Sequence, residues 1–303
     1  MLENTDFQRK ITALLPKIEI RLNEPMSKHT SFRIGGPAEA MAFPKSKEEL
    51  SEIFKMTALL DCNRVILGAG TNVLAPDKGI PGLVICLKDC LGGIERIDDT
   101  TIRVAAGVTM TRAAVFAAGQ GLSGLEFAHG IPGTVGGGVY MNAGAYGGEI
   151  SQICTRVDVV KQDGTFKSYS AEEMEFSYRH SRLEDVPEIV ISADFSLVPK
   201  PDVEIRAVMQ DLMNRRKKSQ PLDLPSAGSA FKRPVGGYAA ALIDQCGLKG
   251  FRIGDAAVSE KHAGFVVNLG KATSFDVVTL LNRVSGIVME KTGILLEPEV
   301  RIW

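Results

Sequence analysis

The chain is poor in the residues that announce a metal site, a disulfide scaffold or a membrane span. Its 303 residues include only four histidines, none in a metal-ligand spacing, so no metal is expected. The five cysteines, Cys62, Cys86, Cys90, Cys154 and Cys246, form no C-x-x-C pair, and their odd number argues against a disulfide framework. That usage fits a reducing cytoplasm. No run approaches the ~18 consecutive apolar residues of a membrane span, so no membrane insertion is expected. The opening MLENTDFQRKITALL has acidic residues and no apolar core, unlike a signal peptide. A net charge of −1 gives no electrostatic case for nucleic acid. No obligate protein partner is evident.

Glycine is what the chain has, and it is concentrated. Ten of the 28 residues from 121 to 148, GLSGLEFAHGIPGTVGGGVYMNAGAYGG, are glycine, where ordinary usage gives about two. Leu125, Phe127, Ile131, Val135, Val139, Tyr140 and Met141 are interleaved with them. Flexible linkers are polar, so this segment reads as backbone wrapped around a large flat ligand, where the missing Cβ permits close approach. LGAGTN (67–72) follows a predicted strand, as a phosphate-binding turn does. It is not a G-x-G-x-x-G fingerprint, since the third glycine is missing. A plain tight turn explains it equally well; Thr71 and Asn72 add side-chain donors suited to a pyrophosphate.

The patterning predicts an α+β chain of three parts, residues 1–87, 88–200 and 201–303. The first holds a helix over 6–15, a strand over 38–43, a helix capped by Ser46 with apolar positions out to Leu60, and strands at 65–67 and 83–87. The second holds a strand at 102–107, an Ala-rich helix from Thr109 to Ala118, and the Gly-rich segment. A hairpin over 156–169 turning at Asp163-Gly164, a short helix at 171–176 and a strand at 188–198 complete it. The third begins after PKPD (199–202) with a basic helix ending NRRKK (214–218). It continues with a loop over 221–234, a helix at 238–246, a strand at 265–269, an amphipathic helix at 275–291 and a strand at 296–303.

Five separated motifs stand in order: GAGTNVLAPDKGIPGLVI (68–85), GLEFAHGIPGTVGGGVYMNAGAYG (124–147), FSYRHS (176–181), SAGSAFKRP (226–234) and LEPEVRI (296–302). Over nearly its whole length the chain resembles the UDP-N-acetylenolpyruvoylglucosamine reductase (UDP-N-acetylmuramate dehydrogenase) family, in its shorter type without an inserted tyrosine loop. The resemblance implies a vanillyl-alcohol-oxidase/PCMH-type FAD-binding fold of two α+β subdomains plus a C-terminal α+β substrate-binding domain. It implies non-covalent FAD reduced by NADPH, and a UDP-sugar whose enolpyruvyl ether becomes a lactyl ether, giving UDP-N-acetylmuramate, a cytoplasmic peptidoglycan precursor.

In that chemistry, hydride goes from flavin N5 to C3 of the enolpyruvyl group. The resulting enolate needs preplaced positive charge, and C2 needs a proton from a positioned acid. Carried over by motif, Arg179 stabilises the enolate, Ser229 donates the proton, and Glu299 is the acidic partner at the same carbon. Flavin contacts fall on Gly68, Ala69, Gly70, Thr71 and Asn72, and on Gly130, Ile131, Pro132, Gly133, Gly136, Gly137, Asn142 and Gly144. Substrate contacts fall on Tyr178, Arg216, Lys232, Arg233 and His262.

Each residue also has a plain alternative. Arg179 alone would be a surface arginine, and Ser229 a loop hydroxyl capping a turn, as Ser219 and Ser226 are expected to be. Glu297, Glu299 and Arg301 share one strand face and could be a solvated charge group. Arg216 could be a helix-end cation or a diphosphate ligand. His129 is expected to pack or to bond backbone rather than to carry a covalent flavin. The family's usual Asn is replaced by Arg233, and its G-x-G-S-N reads G-A-G-T-N. Ser219 stands where some members have Lys. A serine is a poor acid, so Ser229 needs help, with Lys232 the nearest cation in sequence. An FAD oxidoreductase with another substrate would have no reason to keep SAGSAFKRP and LEPEVR. A nucleotide-binding regulator without turnover would be expected to lose Arg179, Ser229 or Glu299.

Overall fold

The structure is a computed structural model that describes residues 5–60 and 62–303. These fall into two compact units, each with its own apolar core. The first takes in the chain up to Leu22, Ala40–Ala69 and Gly82–Asn214; the second takes in Asn23–Glu39, Gly70–Pro81 and Arg215–Trp303.

The first unit is built on a five-stranded antiparallel sheet in the order Phe166–Ser170, Cys154–Val160, Ile189–Ser196, Thr101–Ala105, Ile94–Arg96. Alternation decides its faces: Ile102 and Val104 are buried while Thr101, Arg103 and Ala105 are partly open. Asp194 lies opposite Arg103 and accepts both arms of its guanidinium, each at 2.7 Å. That fork raises the Arg103 pKa and keeps two charges in a half-buried sheet. The helix Met110–Gly119 packs through Ala113, Ala114, Ala117 and Ala118, small enough for close approach, and Thr109 caps it by accepting from Arg112 N. The helix Lys47–Thr57 is capped by Ser46 and buries Leu50, Ile53 and Phe54. Also in this unit, Arg64–Leu67 runs parallel to Leu83–Cys86.

The second unit is an antiparallel sheet in the order Ser226–Ser229, Phe265–Asn268, Ala256–Val258, Arg252–Ile253. Against it lie the helices Ala239–Gln245 and Ser274–Thr292. The long helix opens with a reciprocal Thr273/Asp276 capping box and stops at Gly293, φ +75°.

Several expectations are corrected. The first-unit helix ends at Thr57, short of Leu60; the Thr57 hydroxyl bonds back to Ile53 O at 2.6 Å. Residues 171–176 form turns rather than a helix. Ser170 and Glu173 cap each other, but Glu175 at φ +49° ends the turn at once. The segment 221–234 is not all loop, because Ser226–Ser229 pairs with the strand Phe265–Asn268. The expected strand 296–303 is regular only at Arg301–Ile302, parallel to Val73–Leu74. Pro298 lacks the N–H that a continuous ladder needs. The Gly-rich segment contains a short helix, Val135–Tyr140, that its glycine content hid.

Candidate active site

In the first unit the two Gly-rich motifs meet. A Cβ on Gly68 would stand 2.6 Å from the Thr134 hydroxyl oxygen, so only glycine lets that backbone approach. Thr134 is the N-cap of the helix Val135–Tyr140 and accepts from Gly137 N at 3.4 Å. Sequence reasoning passed over Thr134, a preferred N-cap residue that stands two residues before the glycine run. The stretch entering the helix is pinned by three backbone bonds: Met110 N to Gly133 O, Val135 N to Val108 O and Gly136 N to Ala106 O. Gly136 therefore serves packing, since a Cβ there would lie 3.0 Å from Ala106 Cβ. Gly137 is open, with nothing nearer to such an atom than 3.7 Å. Ile131 N closes a turn onto Ala128 O, with Gly130 and Pro132 beside it.

Arg179 sits in the same unit, in a tight turn where Ser177 and His180 exchange backbone hydrogen bonds. Its φ is +57°, a left-handed conformation that costs a non-glycine residue about 1–2 kcal/mol. Its guanidinium carbon lies 5.1 Å from the Tyr178 ring centre, and Nη2 is 3.3 Å from Gly144 O. Asn142 is buried at a left-handed φ of +42°, its amide donating to Ser177 O and accepting from Ser151 N. The Gly144–Ala145 strand turns back on Gly148–Glu149.

In the second unit, Gly70 has φ +64°, and a Cβ there would meet His29 O at 1.9 Å. Ser31 N donates to Gly70 O at 2.9 Å, and the Ser31 hydroxyl reaches Ser226 O at 2.6 Å. Asn72 ties the loop to the C-terminal strand: its amide donates to Glu299 O at 3.2 Å, and its carbonyl accepts from Arg301 N at 2.9 Å. Ala69 and Thr71 complete the loop between these anchors.

The stretches that carry Ser229 and Glu299 pair through their backbones in this unit. Phe231 bridges Pro298, Glu299 N donates to Ala230 O at 2.9 Å, and Lys232 N donates to Glu297 O at 2.8 Å. Ser229 is exposed at the end of a bulged strand: Ser226 faces Val267 while Ser229 faces Phe265, one residue out of step. The bulge is made by Gly228 at φ +76°, with open space around it. Gly228→Ala is expected to cost about 1–2 kcal/mol and to turn Ser229 away. A drop in melting temperature together with slower flavin reoxidation checks both effects.

The remaining expected contacts have distinct surroundings. Lys232 Nζ lies 3.5 Å from a Glu297 carboxylate oxygen, so part of its charge is neutralised there. Arg233 stacks over the Tyr238 ring at 4.2 Å. Arg216 is buried near the end of the helix Asp202–Ser219, unusual for arginine. His262 accepts from Gly264 N through Nδ1 at 3.1 Å and meets Phe265 edge-on. Burial lowers its pKa below the ordinary 6.5. The unfolded chain therefore takes up this proton first as pH falls. The group is neutral to stability above about pH 6.5 and costs stability below it, down through the lower folded value. His262→Gln is expected to flatten that acid arm in urea midpoints measured from about pH 8 to pH 5. Among the described residues, no three His, Cys, Asp or Glu side chains gather as metal ligands, and no helix is long and apolar enough to cross a membrane.

Comparison with known proteins bears on this arrangement. Residues 38–170 match a family model described as an FAD binding domain, and 220–303 match one described as the C-terminal domain of UDP-N-acetylenolpyruvoylglucosamine reductase. The chain is 46% identical over 310 residues to the curated UDP-N-acetylenolpyruvoylglucosamine reductase of Agathobacter rectalis, covering 99% of this chain and 98% of the relative. It is 45% identical to that of Caldanaerobacter subterraneus subsp. tengcongensis, covering 97% and 96%. The crystal structure of UDP-N-acetylenolpyruvylglucosamine reductase from Thermus caldophilus matches with a TM-score of 0.78 at 37% identity, covering 95% of this chain and 99% of that one. The residues present fit a flavin dinucleotide. Gly137 offers bare backbone in the first unit, and beside Gly130 the His129 Nδ1 atom is buried with no hydrogen-bond partner among the described residues.

Proposed function

Because this chain belongs to the UDP-N-acetylenolpyruvoylglucosamine reductases, FAD-dependent oxidoreductases of peptidoglycan precursor synthesis, we propose that it reduces the enolpyruvyl ether of its UDP-sugar to the lactyl ether at the expense of NADPH. Bound FAD would supply the hydride relay between the two. The chain's own residues have three tasks. The Gly68–Asn72 loop and the Gly130–Gly137 segment hold the cofactor by backbone approach. Arg179 meets the charge that develops on the substrate carboxylate, where a guanidinium can fork to two oxygens. Ser229 delivers a proton to C2, with Glu299 on the adjoining segment as its acidic partner. Residues 1–87 and 88–200 form the flavin-binding part, and 201–303 the substrate-binding part, with Tyr178, Arg216, Lys232, Arg233 and His262 as substrate contacts.

The observation that supports this reading is the backbone pairing of SAGSAF with LEPEV, an isolated bridge between Phe231 and Pro298 beside the Glu299 N to Ala230 O bond, which brings the Glu299 backbone to the residue next to Ser229. A hydroxyl is a poor acid near neutrality, and a carboxyl that resupplies the proton, the role proposed for Glu299, is the help Ser229 needs. Turnover with NADPH and UDP-N-acetylenolpyruvoylglucosamine tests the proposal. The expected product is heavier than the substrate by two hydrogens, and one NADPH is consumed for each. NADPH consumption without that product contradicts it.

A further inference from the structure

We propose that Asn142 and Ser181 are positioning residues that hold the Arg179 turn in its left-handed conformation, a role that rests on the reading of Arg179 as the group meeting the substrate's developing charge. Three alternate residues of one short stretch each grip the turn. Tyr140 O accepts from the Ser181 hydroxyl at 2.8 Å, Asn142 Nδ2 donates to Ser177 O at 3.0 Å, and Gly144 O accepts from Arg179 Nη2 at 3.3 Å. The grip is buried, with Asn142 1% and Ser181 0% exposed, while Tyr178 between them is 50% exposed. Asn142 Oδ1 also accepts from Ser151 N at 2.9 Å, which anchors the amide to the following turn. A short amide is the one side chain that tolerates the left-handed φ of +42° found here and offers a donor and an acceptor at once.

The seat explains why a strained residue can stand in an otherwise open turn. A non-glycine residue at φ +57° persists only where its neighbours over-determine it. Ser177 and Ser181 bracket Arg179 symmetrically, two residues to either side, and both are fixed to the 140–142 stretch. The engaged amide also gives Asn142 a task other than touching flavin with its side chain. Any flavin contact from this residue is left to its backbone.

The test compares Asn142→Ala, Asn142→Asp and Ser181→Ala with the parent holoenzyme. Asn142→Asp keeps the shape and the acceptor but loses the donor to Ser177. The expected result is faster amide hydrogen exchange across residues 176–181 with FAD content retained, and flavin reoxidation by substrate slowed on the order of 10- to 100-fold, as for loss of a buried hydrogen bond. In a double-mutant cycle with Arg179→Ala the losses are expected not to add, because all act through one side chain. Unchanged exchange of 176–181 in the folded Asp or Ser181 variant overturns the proposal, as does additivity with Arg179→Ala. Lost FAD with unaltered exchange makes Asn142 a flavin ligand instead and equally overturns it. Faster exchange beside an Arg179→Ala enzyme of undiminished activity leaves the seat standing and sinks the assigned role of Arg179.

Discussion

Replacing Ser229 with alanine is expected to slow reoxidation of the flavin by the UDP-sugar substrate by about 100- to 10,000-fold, the range of a lost general acid. Reduction of the flavin by NADPH should stay near the parent rate, because that half-reaction needs no proton at C2. The substitution removes one oxygen from an exposed position on the bulged strand, so the fold has little reason to change. Ser229→Thr keeps a hydroxyl and should recover part of the loss. Glu299→Gln should show the same asymmetry between half-reactions, since its carboxyl is proposed to act through the same proton. Stopped-flow traces of the two half-reactions decide the matter. Equal slowing of both would mean that Ser229 supports the flavin rather than the proton transfer.

Arg179→Ala is expected to lower kcat/KM by about 100- to 1,000-fold, as removal of a preorganised charge stabiliser does. Arg179→Lys should recover only part, since an ammonium is a point charge that cannot fork to a carboxylate. The backbone adds a second prediction at the same position. Arg179 holds φ +57°, so Arg179→Gly should be as inactive as the alanine variant yet melt at a higher temperature. The difference between glycine and alanine at a left-handed position is about 1 kcal/mol. An active site that stores strain in a functional residue behaves in this way. An alanine variant as stable as the glycine variant would argue that the turn relaxes freely without the guanidinium.

Much of this architecture could be read from residues alone, for identifiable reasons. The hairpin turning at Asp163-Gly164 appears as the antiparallel pair Cys154–Val160 and Phe166–Ser170, because its turn chemistry is local. The cap at Ser46 is there too, although Glu49 reaches back to Lys45 N rather than to Ser46 N. What escaped was set by distant partners. The strand Ser226–Ser229 exists because the strand Phe265–Asn268 lies beside it, and Gly228 then supplies the bulge. Proline and serine in that stretch read as loop until the partner is known. The helix Val135–Tyr140 is hidden by three consecutive glycines, which are poor helix formers; Thr134 and the close packing at Ala106 hold it.

The site divides along the same line. The proposed roles of Arg179, Ser229 and Glu299 come from the resemblance of three motifs to the reductase family, since the residue types alone left each a plain alternative. Supporting roles were not legible. Asn72 reads as a phosphate donor in sequence, yet its amide is bonded to Glu299 O. Asn142 reads as part of a flavin cradle, yet its amide holds Ser177 and Ser151. Ser31 carries no motif signal but joins the Gly70 turn to Ser226. Asn72→Ala is accordingly expected to weaken the substrate half-reaction more than FAD binding, which flavin fluorescence and stopped flow would separate.

The most direct test of the whole account is the visible spectrum of the purified protein under anaerobic conditions, followed through addition of NADPH and then of UDP-N-acetylenolpyruvoylglucosamine. The account predicts a flavin spectrum that bleaches with NADPH and returns with the UDP-sugar while oxygen is still excluded. Flavin that bleaches but returns only when oxygen is admitted would contradict it.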